Sequence, residues 1–412
     1  MKVLWFCNTP ALGEEHLKSR GIGGGWMKAL NACIQDKVEL SISFLYSDNK
    51  QFKYQNTSYY PIKMKRSLFN KIFNQIETDE YRNDMLSIIN DVKPDIIHIH
   101  GTENPFGTII DKTDVPIVIS MQGILEVINH FYFRGISQKL QNIHNWDNGL
   151  LKSIFAGSPF IREKSFFAKG SKREIKTLIN CKNIIGRTDW DKNVTRILAP
   201  NSQYFHVGEI MRDSFFYNQW TKHNRKYPIL HTTNGNTSYK GFETLCKALT
   251  LMHKVGFMAT WQVAGIAEDD LIVKVVKKAL KKDYPHERLV LLGRLDEEQL
   301  VNNMLNADMY VMTSHIENSP NNLGEAMTLG MPCIATHAGG TSSLLTSKIE
   351  GELIQDGDPW NMAGSIIALF ANEGQMSLYS KNAKQKAYNL YSKDMVLKDL
   401  LKCYSKIVQF SI

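Results

Sequence analysis

Short apolar runs alternate along the chain with stretches whose apolar residues recur at helical spacing. The first run, Lys2 to Asn8, reads as a strand; it leads through the glycine-rich Gly21-Ile22-Gly23-Gly24-Gly25 into Trp26 to Ala32, which reads as a helix. Val38 to Leu45, Asp95 to His100, Val115 to Ser120 and Asn183 to Arg187 read as buried strands, with helices such as Arg66 to Val92 between several of them. Strands alternating with helices imply a parallel sheet covered on both faces.

The tempo changes near the turn cluster Ala199-Pro200-Asn201-Ser202, and a fresh series begins after Tyr227-Pro228. Ile229 to Thr233, Met258 to Ala264, Leu289 to Leu292, Met309 to Thr313, Pro332 to Ala335 and Gly351 to Ile354 read as six strands of a second parallel sheet. Lys393 to Gln409 carries apolar residues near helical spacing and reads as an amphipathic helix packing back onto the body. The fold class is therefore α/β, two doubly wound Rossmann-like domains over residues 1–205 and 206–390, with a C-terminal helix in 391–412 and the boundary within 205 to 225. In open sheets of this kind ligands bind at the carboxyl ends of the strands, so strand-to-helix loops are where function is sought.

The composition agrees with a globular chain of two domains: 412 residues, 43% hydrophobic and 22% charged, which excludes disordered, collagen-like and disulfide-scaffold classes. No stretch approaches the roughly 18 apolar residues of a spanning helix, and the first residues lack a signal-peptide core, so a cytoplasmic location is expected. Six cysteines without a CxxC pair read as reduced and buried. Residues 1 to 200 hold 27 Lys+Arg against 20 Asp+Glu, which is most of the net charge of +8. Within them, Lys152 to Lys176 carries seven basic residues interleaved with Phe155, Phe160, Phe166 and Phe167, suited to an anionic partner or, more simply, to a solvated helix with a buried aromatic face. No nucleic-acid motif accompanies the charge, so nucleic acid is not expected as a partner.

The most informative segment runs from His315 to Gly340. Glu317 and Glu325 are eight residues apart; Glu317 falls in the loop after a strand, while Asn321 or Asn322 can cap a helix that carries Glu325. Free N–H groups at such a helix start hold a phosphate, with one acid on each side to accept hydrogen bonds from the hydroxyls of a nucleotide sugar.

Here the sequence resembles the retaining GT-B glycosyltransferases of family four, which share an E-x7-E motif, over essentially the whole chain. The resemblance implies that Glu317 contacts the transferred sugar, that Glu325 binds the ribose, and that Asn321, Asn322 and Leu323 offer backbone N–H groups to sugar and diphosphate. It further implies that Lys240, in Ser238-Tyr239-Lys240-Gly241-Phe242, neutralises the leaving diphosphate. Relatives carry an arginine at the position of Gly235; Asn236 would substitute a neutral hydrogen bond. Arg294 and Leu295 match the base-binding strand end, and Gly23, Gly24 and Gly25 match the glycine loop that approaches the diphosphate. His100, at the end of Asp95 to His100, matches a cleft residue, whereas His98 on the same face reads as a core histidine. Where many relatives place a histidine after the next strand, this chain has Gln122, which hydrogen-bonds a sugar but cannot act as acid or base.

The implied activity is retaining transfer of a hexose from a UDP- or GDP-linked sugar to a hydroxyl of a saccharide or lipid-diphosphate-linked acceptor, in bacterial surface-polysaccharide or lipopolysaccharide assembly. No metal and no cofactor beyond the donor are implied, and the basic aromatic stretch would meet an anionic membrane. The alternatives are a catalytically silent nucleotide-sugar-binding subunit, motivated by Gly235 and Gln122, and an epimerase or hydrolase on the same fold. The segment from Glu317 to Gly340 reads better as the donor site of a transferase.

Overall fold

The computed structural model describes residues 1–17, 25–65, 81–137 and 159–409. The chain forms two compact units: one of 1–129, 162–212 and 391–412, the other of 130–161 and 213–390.

In the first unit, eight strands order as β3-β4-β2-β1-β5-β6-β7-β8. They are β1 Lys2–Phe6, β2 Glu39–Tyr46, β3 Phe52–Tyr54, β4 Thr57–Lys63, β5 Ile96–His100, β6 Ile117–Ser120, β7 Asn183–Gly186 and β8 Gln203–His206. Every neighbouring pair is parallel except β3 with β4. Side chains alternate across β1 as the two-residue strand period demands: Val3 and Trp5 enter one apolar cluster, Leu4 and Phe6 the other. The sheet is thus buried on both faces, which is why its strands read as unbroken apolar runs.

The antiparallel β3–β4 hairpin is an addition to the parallel sheet that the pattern implies. Pro61 sits inside β4 opposite Phe44, and a proline within an apolar run argues against a strand unless the strand is near an edge, as this one is. The edge strand β8 lies where the sequence leads one to expect a turn and linker; both its end residues are exposed, so it lacks the apolar signature of its neighbours. Of the helix expected over Arg66 to Val92, the part Arg82–Val92 is helical; residues 66–80 lie outside the described residues, as do Gly23 and Gly24. Gly25 opens the Gly25–Ile34 helix, packed so closely on Arg212 that a Cβ would crowd that side chain.

The helix Lys393–Gln409 places Val396, Leu400, Cys403, Tyr404 and Ile407 in the cluster that holds Val3 and Trp5. Those positions form one stripe at helical spacing, and each large apolar side chain so buried contributes about 1.5–3 kcal/mol. None of the six cysteines is in a disulfide, and all but Cys33 are buried.

The second unit contains β9 Ile229–Thr233, β10 Thr260–Ala264, β11 Leu289–Gly293, β12 Met309–Met312, β13 Cys333–Thr336 and β14 Gly351–Ile354. All are parallel, in the order β11-β10-β9-β12-β13-β14. That is the 3-2-1-4-5-6 order of a doubly wound dinucleotide fold, and it reverses between β9 and β12. The loops leaving those two strands therefore frame the crevice in which such sheets bind ligands.

Candidate functional site

The loop after β9 folds into a single tight turn, Ser238–Lys240, followed by Gly241 at φ 72°. A Cβ at Gly241 would overlap the Thr313 carbonyl oxygen, so only glycine lets this turn press against the loop after β12. Two side chains fix the turn by donating to the Lys240 carbonyl, Asn234 Nδ2 at 3.2 Å and Thr313 Oγ1 at 3.0 Å.

So placed, Lys240 Nζ lies 2.6 Å from Glu317 Oε1, and Ser314 Oγ donates to the same oxygen at 2.7 Å. Both partners are largely buried, at 22% and 11% side-chain exposure, which makes the pair more than a solvent-screened surface bridge. Burial opposes the lysine's charge, but the Glu317 carboxylate outweighs it and holds the ammonium above its ordinary range. The Glu317 loop is anchored from behind: Gly340 N donates to the Glu317 carbonyl at 3.0 Å, and Gly339, at φ 55°, leaves no room for a Cβ beside that oxygen.

Four residues beyond Glu317 the chain enters the helix Asn321–Leu329. Its N-cap is Pro320, not Asn321 or Asn322, which form the first two helical positions instead. Proline supplies no side-chain acceptor to the first N–H groups, but Leu323 N, expected to serve a ligand, donates instead to Asn322 Oδ1 and to the Pro320 carbonyl, which leaves the Asn321 and Asn322 N–H groups as the candidates for an anion. The Asn322 side chain is engaged elsewhere. Its Nδ2 donates to Thr233 O at 2.6 Å, tying the helix start to the end of β9, while its Oδ1 accepts from Leu323 N at 2.9 Å. Glu325, buried at 8% exposure, sits on the next turn of this helix. Burial, then Cys333 and the carboxylates of Glu317 and Glu325, push the Tyr310 hydroxyl well above its usual range. Tyr310 thus marks the place beneath the site where both acids are felt.

Lys240, Glu317, Asn321, Asn322, Leu323 and Glu325 are brought together at the switch point. Asn236 is adjacent but committed: its Nδ2 donates to Asp270 Oδ1 at 2.7 Å and its Oδ1 accepts from Ile272 N at 3.4 Å, which ties it to the helix Leu271–Leu280. Beyond Gly235 there is open space. Arg294 and Leu295 follow β11, two strands from β9, and so stand about 10 Å along the same carboxyl edge. Arg294 is exposed and Leu295 half-buried.

The remaining sequence candidates belong to the first unit. His98 is the core histidine expected, with Nδ1 2.6 Å from Tyr404 OH and Nε2 2.6 Å from Ser120 Oγ. His100 is buried at 3% exposure rather than open, and neither ring nitrogen has a hydrogen-bond partner. Burial, then His98 and Arg187, hold its imidazole neutral by lowering it well below the usual histidine range. Gln122 Oε1 accepts from Arg187 Nη2 at 3.4 Å. Sequence reasoning missed the buried ion pair of Arg187 with Glu209 in this unit. It also missed the charged residues around His315 in the second, since nothing in their local pattern sets them apart from solvated charges.

The doubly wound architecture of the two sheets is that of the GT-B fold. It is similar to sucrose-phosphate synthase from Thermosynechococcus elongatus, with a TM-score of 0.75 at 13% identity over 99% of each chain. Anabaena HepE, solved in complex with UDP and glucose, aligns with a TM-score of 0.62 at 13% identity, over 98% of this chain and 99% of that one. Residues 216–386, the span that holds the Lys240–Glu317 site, match the family described as Glycosyl transferases group 1. The match covers 171 of the 412 residues and makes this part of the chain similar to that family. Over 118 residues it is 28% identical to the UDP-Gal:alpha-D-GlcNAc-diphosphoundecaprenol alpha-1,3-galactosyltransferase of Escherichia coli, a match covering 28% of this chain and 30% of that protein. The chain spans less than half the length of the curated relatives it matches.

Proposed function

We propose that the protein moves a hexose, with retention, from a nucleotide diphosphate sugar to a hydroxyl of a saccharide or lipid-linked saccharide, in assembly of a bacterial surface polysaccharide or lipopolysaccharide. One observation carries this reading: a partly buried lysine–glutamate pair meets at the switch point of a doubly wound sheet, beside a helix start capped by proline. A diphosphate entering there competes with Glu317 for the Lys240 ammonium and takes hydrogen bonds from the helix N-terminus. Glu317, released from the lysine, then accepts from sugar hydroxyls, and Glu325 from the ribose.

The acceptor hydroxyl attacks the anomeric carbon on the face the diphosphate leaves. The bond from that carbon to the phosphate oxygen breaks as the new glycosidic bond forms, and the departing oxygen takes the proton. The chain's own work is positioning and charge stabilisation. Neither a metal nor a further cofactor enters this reading. Arg294 and Leu295 would meet the base, and Gly23, Gly24, Gly25, His100 and Gln122 would add the donor contacts that the resemblance implies for the first unit. A UDP-linked donor is favoured over GDP by the UDP bound in HepE and by the UDP-galactose in the name of the Escherichia coli relative.

The helix Pro159–Ile179 aligns Lys169, Lys172, Arg173 and Lys176 on one face, beside Lys112, which supports contact with an anionic membrane or a lipid diphosphate. Phe160 is buried at 1% exposure and serves the core, leaving the half-buried Phe166 and Phe167 for such a contact. Among the described residues, no helix is long and apolar enough to cross a membrane.

Thermal stabilisation by UDP, GDP, ADP, CMP and their sugars tests the reading, because a ligand that binds only the folded state raises the melting point. One diphosphate series is expected to stabilise the wild type and not Glu325→Ala. Stabilisation by none of them would reject the donor site, and binding without transfer to any acceptor would favour the silent-binder alternative.

A further inference from the structure

His315 lies two residues before Glu317 and has no solvent-exposed side-chain surface. Its Nε2 is 2.8 Å from Glu243 Oε1, in the first turn of the helix Phe242–Lys254, and its Nδ1 is 3.4 Å from Asp356 Oδ2, in the loop after β14. An ionised carboxylate only accepts, so an imidazole that serves one at each nitrogen donates from both, which only the protonated ring does. The chain of charges continues outward, since Asp356 Oδ2 also receives Arg134 Nε at 2.7 Å.

Arg134 belongs to a turn that docks on the same spot. Ser238 Oγ donates to the Tyr132 carbonyl, and Gly135, at φ 82°, sits so close to Glu243 and His315 Nε2 that a Cβ would collide with both. The backbone makes the remaining link, for His315 N donates to the carbonyl of Tyr239, the residue before Lys240, at 2.8 Å. His315 therefore holds both loops of the site: one through its neighbour Ile316 to Glu317, the other through Tyr239 to Lys240.

We propose that His315 is a positioning residue whose imidazolium, clamped between Glu243 and Asp356, locks the Tyr132–Gly135 turn in place within the second unit and thereby holds the two loops at the spacing from which the Lys240 ammonium can pass from Glu317 to an entering diphosphate. The consequence rests on the donor-site reading: diphosphate binding weakens as pH rises and His315 loses its proton. The groups facing the ring are Glu243 from the helix behind Lys240, Asp356 from the loop after β14, and Arg134 through Asp356. Two acids against one guanidinium favour the charged ring. Burial alone would lower its proton affinity, but hydrogen bonding and charge from Glu243, with help from Asp356, leave it raised above the ordinary histidine value of 6.5.

The imidazole Cε1 proton signals of the wild type, followed against pH by NMR, identify His315 as the signal absent from His315→Gln. It is expected to titrate above 6.5 and to move down in Glu243→Gln, a variant that keeps the shape and a neutral hydrogen bond. A wild-type signal titrating at or below the ordinary value, or one unmoved in Glu243→Gln, would overturn the proposal. Crystals of His315→Gln are expected to show the Lys240–Glu317 contact lengthened beyond hydrogen-bond reach, and retention at 2.6 Å would equally overturn it. With UDP as probe, wild-type affinity is expected to fall as the ring deprotonates, and His315→Gln to bind about tenfold more weakly with no pH dependence over that range. Wild-type affinity and pH profile in His315→Gln would count against the positioning role. Absence of UDP binding in the wild type at every pH would instead reject the UDP donor site, and the NMR titration and the crystal distance would still decide the role of His315.

Discussion

The indole N–H of Trp5 donates to the hydroxyl of Tyr404 at 3.0 Å, joining the first strand to the last helix across 399 positions of sequence. The same hydroxyl meets His98 Nδ1 at 2.6 Å, so one phenol satisfies two buried polar groups at the centre of the first unit. Tyr404→Phe strands both, and is expected to destabilise the protein by about 1–3 kcal/mol. Leu400→Ala, which opens a cavity in the same cluster, is expected to cost about 2–5 kcal/mol. Urea denaturation measures both; wild-type stability in either variant would show that the helix is not part of the core.

Removing the lysine charge tests the chemistry. Lys240→Ala is expected to reduce turnover by about two or more orders of magnitude, with a smaller change in KM, because in the proposed reaction the charge to be stabilised develops on the leaving diphosphate. Steady-state kinetics with the donor identified by thermal stabilisation supply the check, and unchanged kcat would remove Lys240 from the mechanism.

Two glycines in the same loop should respond in opposite ways. Gly241→Ala forces a side chain into a left-handed backbone position and against the Thr313 carbonyl, and is expected to lower stability by more than about 1 kcal/mol and to displace Lys240. Gly235→Arg points into open space and supplies the cation that the family resemblance implies at this position. It should leave the melting point of the unliganded protein unchanged and tighten nucleoside diphosphate binding by about three- to tenfold, the effect of one added charge-assisted hydrogen bond. Calorimetric titration decides, and weaker binding in Gly235→Arg would contradict the placement of the diphosphate.

The histidines give the protein two pH limbs of opposite sign. His315 is raised in the folded state, so its stabilisation is complete below the unfolded value of 6.5 and is lost as pH rises through the folded one. Burial lowers His98 to about 3 and His231 to about 4, so as pH falls below 6.5 the unfolded chain takes up protons that the folded state refuses, and stability declines. Denaturation midpoints across the pH range are expected to lose the alkaline limb in His315→Gln and to keep the acid one. An alkaline limb that survives the substitution would assign it to another group.

What can be read from the sequence follows the range over which each interaction acts. The strands Ile229–Thr233 and Gly351–Ile354 and the helix Lys393–Gln409 fall where apolar periodicity puts them, because burial on both sheet faces, or along one helical stripe, is written into consecutive residues. The hairpin Phe52–Tyr54 with Thr57–Lys63 escapes, since Pro61 and a partly exposed face blur its alternation. In the site, Lys240, Glu317 and Glu325 are legible from the glycines and spacings that accompany them. Asparagine favours the cap of a helix, yet Pro320 takes that position and frees Asn322 to hold β9. Glu243, Asp356 and Arg134 are not legible. Glu243 and Asp356 reach His315 across 72 and 41 positions, and Arg134 joins them through Asp356. A lone acid or base in sequence looks the same whether it is solvated or pairs with a distant partner.

Because the first unit draws on three separate stretches of chain, it is begun first and finished last. The 178 residues of 213–390 emerge between Arg212 and the helix that covers Val3 and Trp5. At ordinary synthesis rates that interval is roughly 9–36 s, during which one face of the first sheet has no lid. The second unit, with its 213–390 stretch already made, can complete its fold during that wait. Release of the final helix from the ribosome is thus the event that closes the first unit's core, and a nascent chain stalled shortly before Lys393 would carry a folded second unit tethered to an open, aggregation-prone sheet.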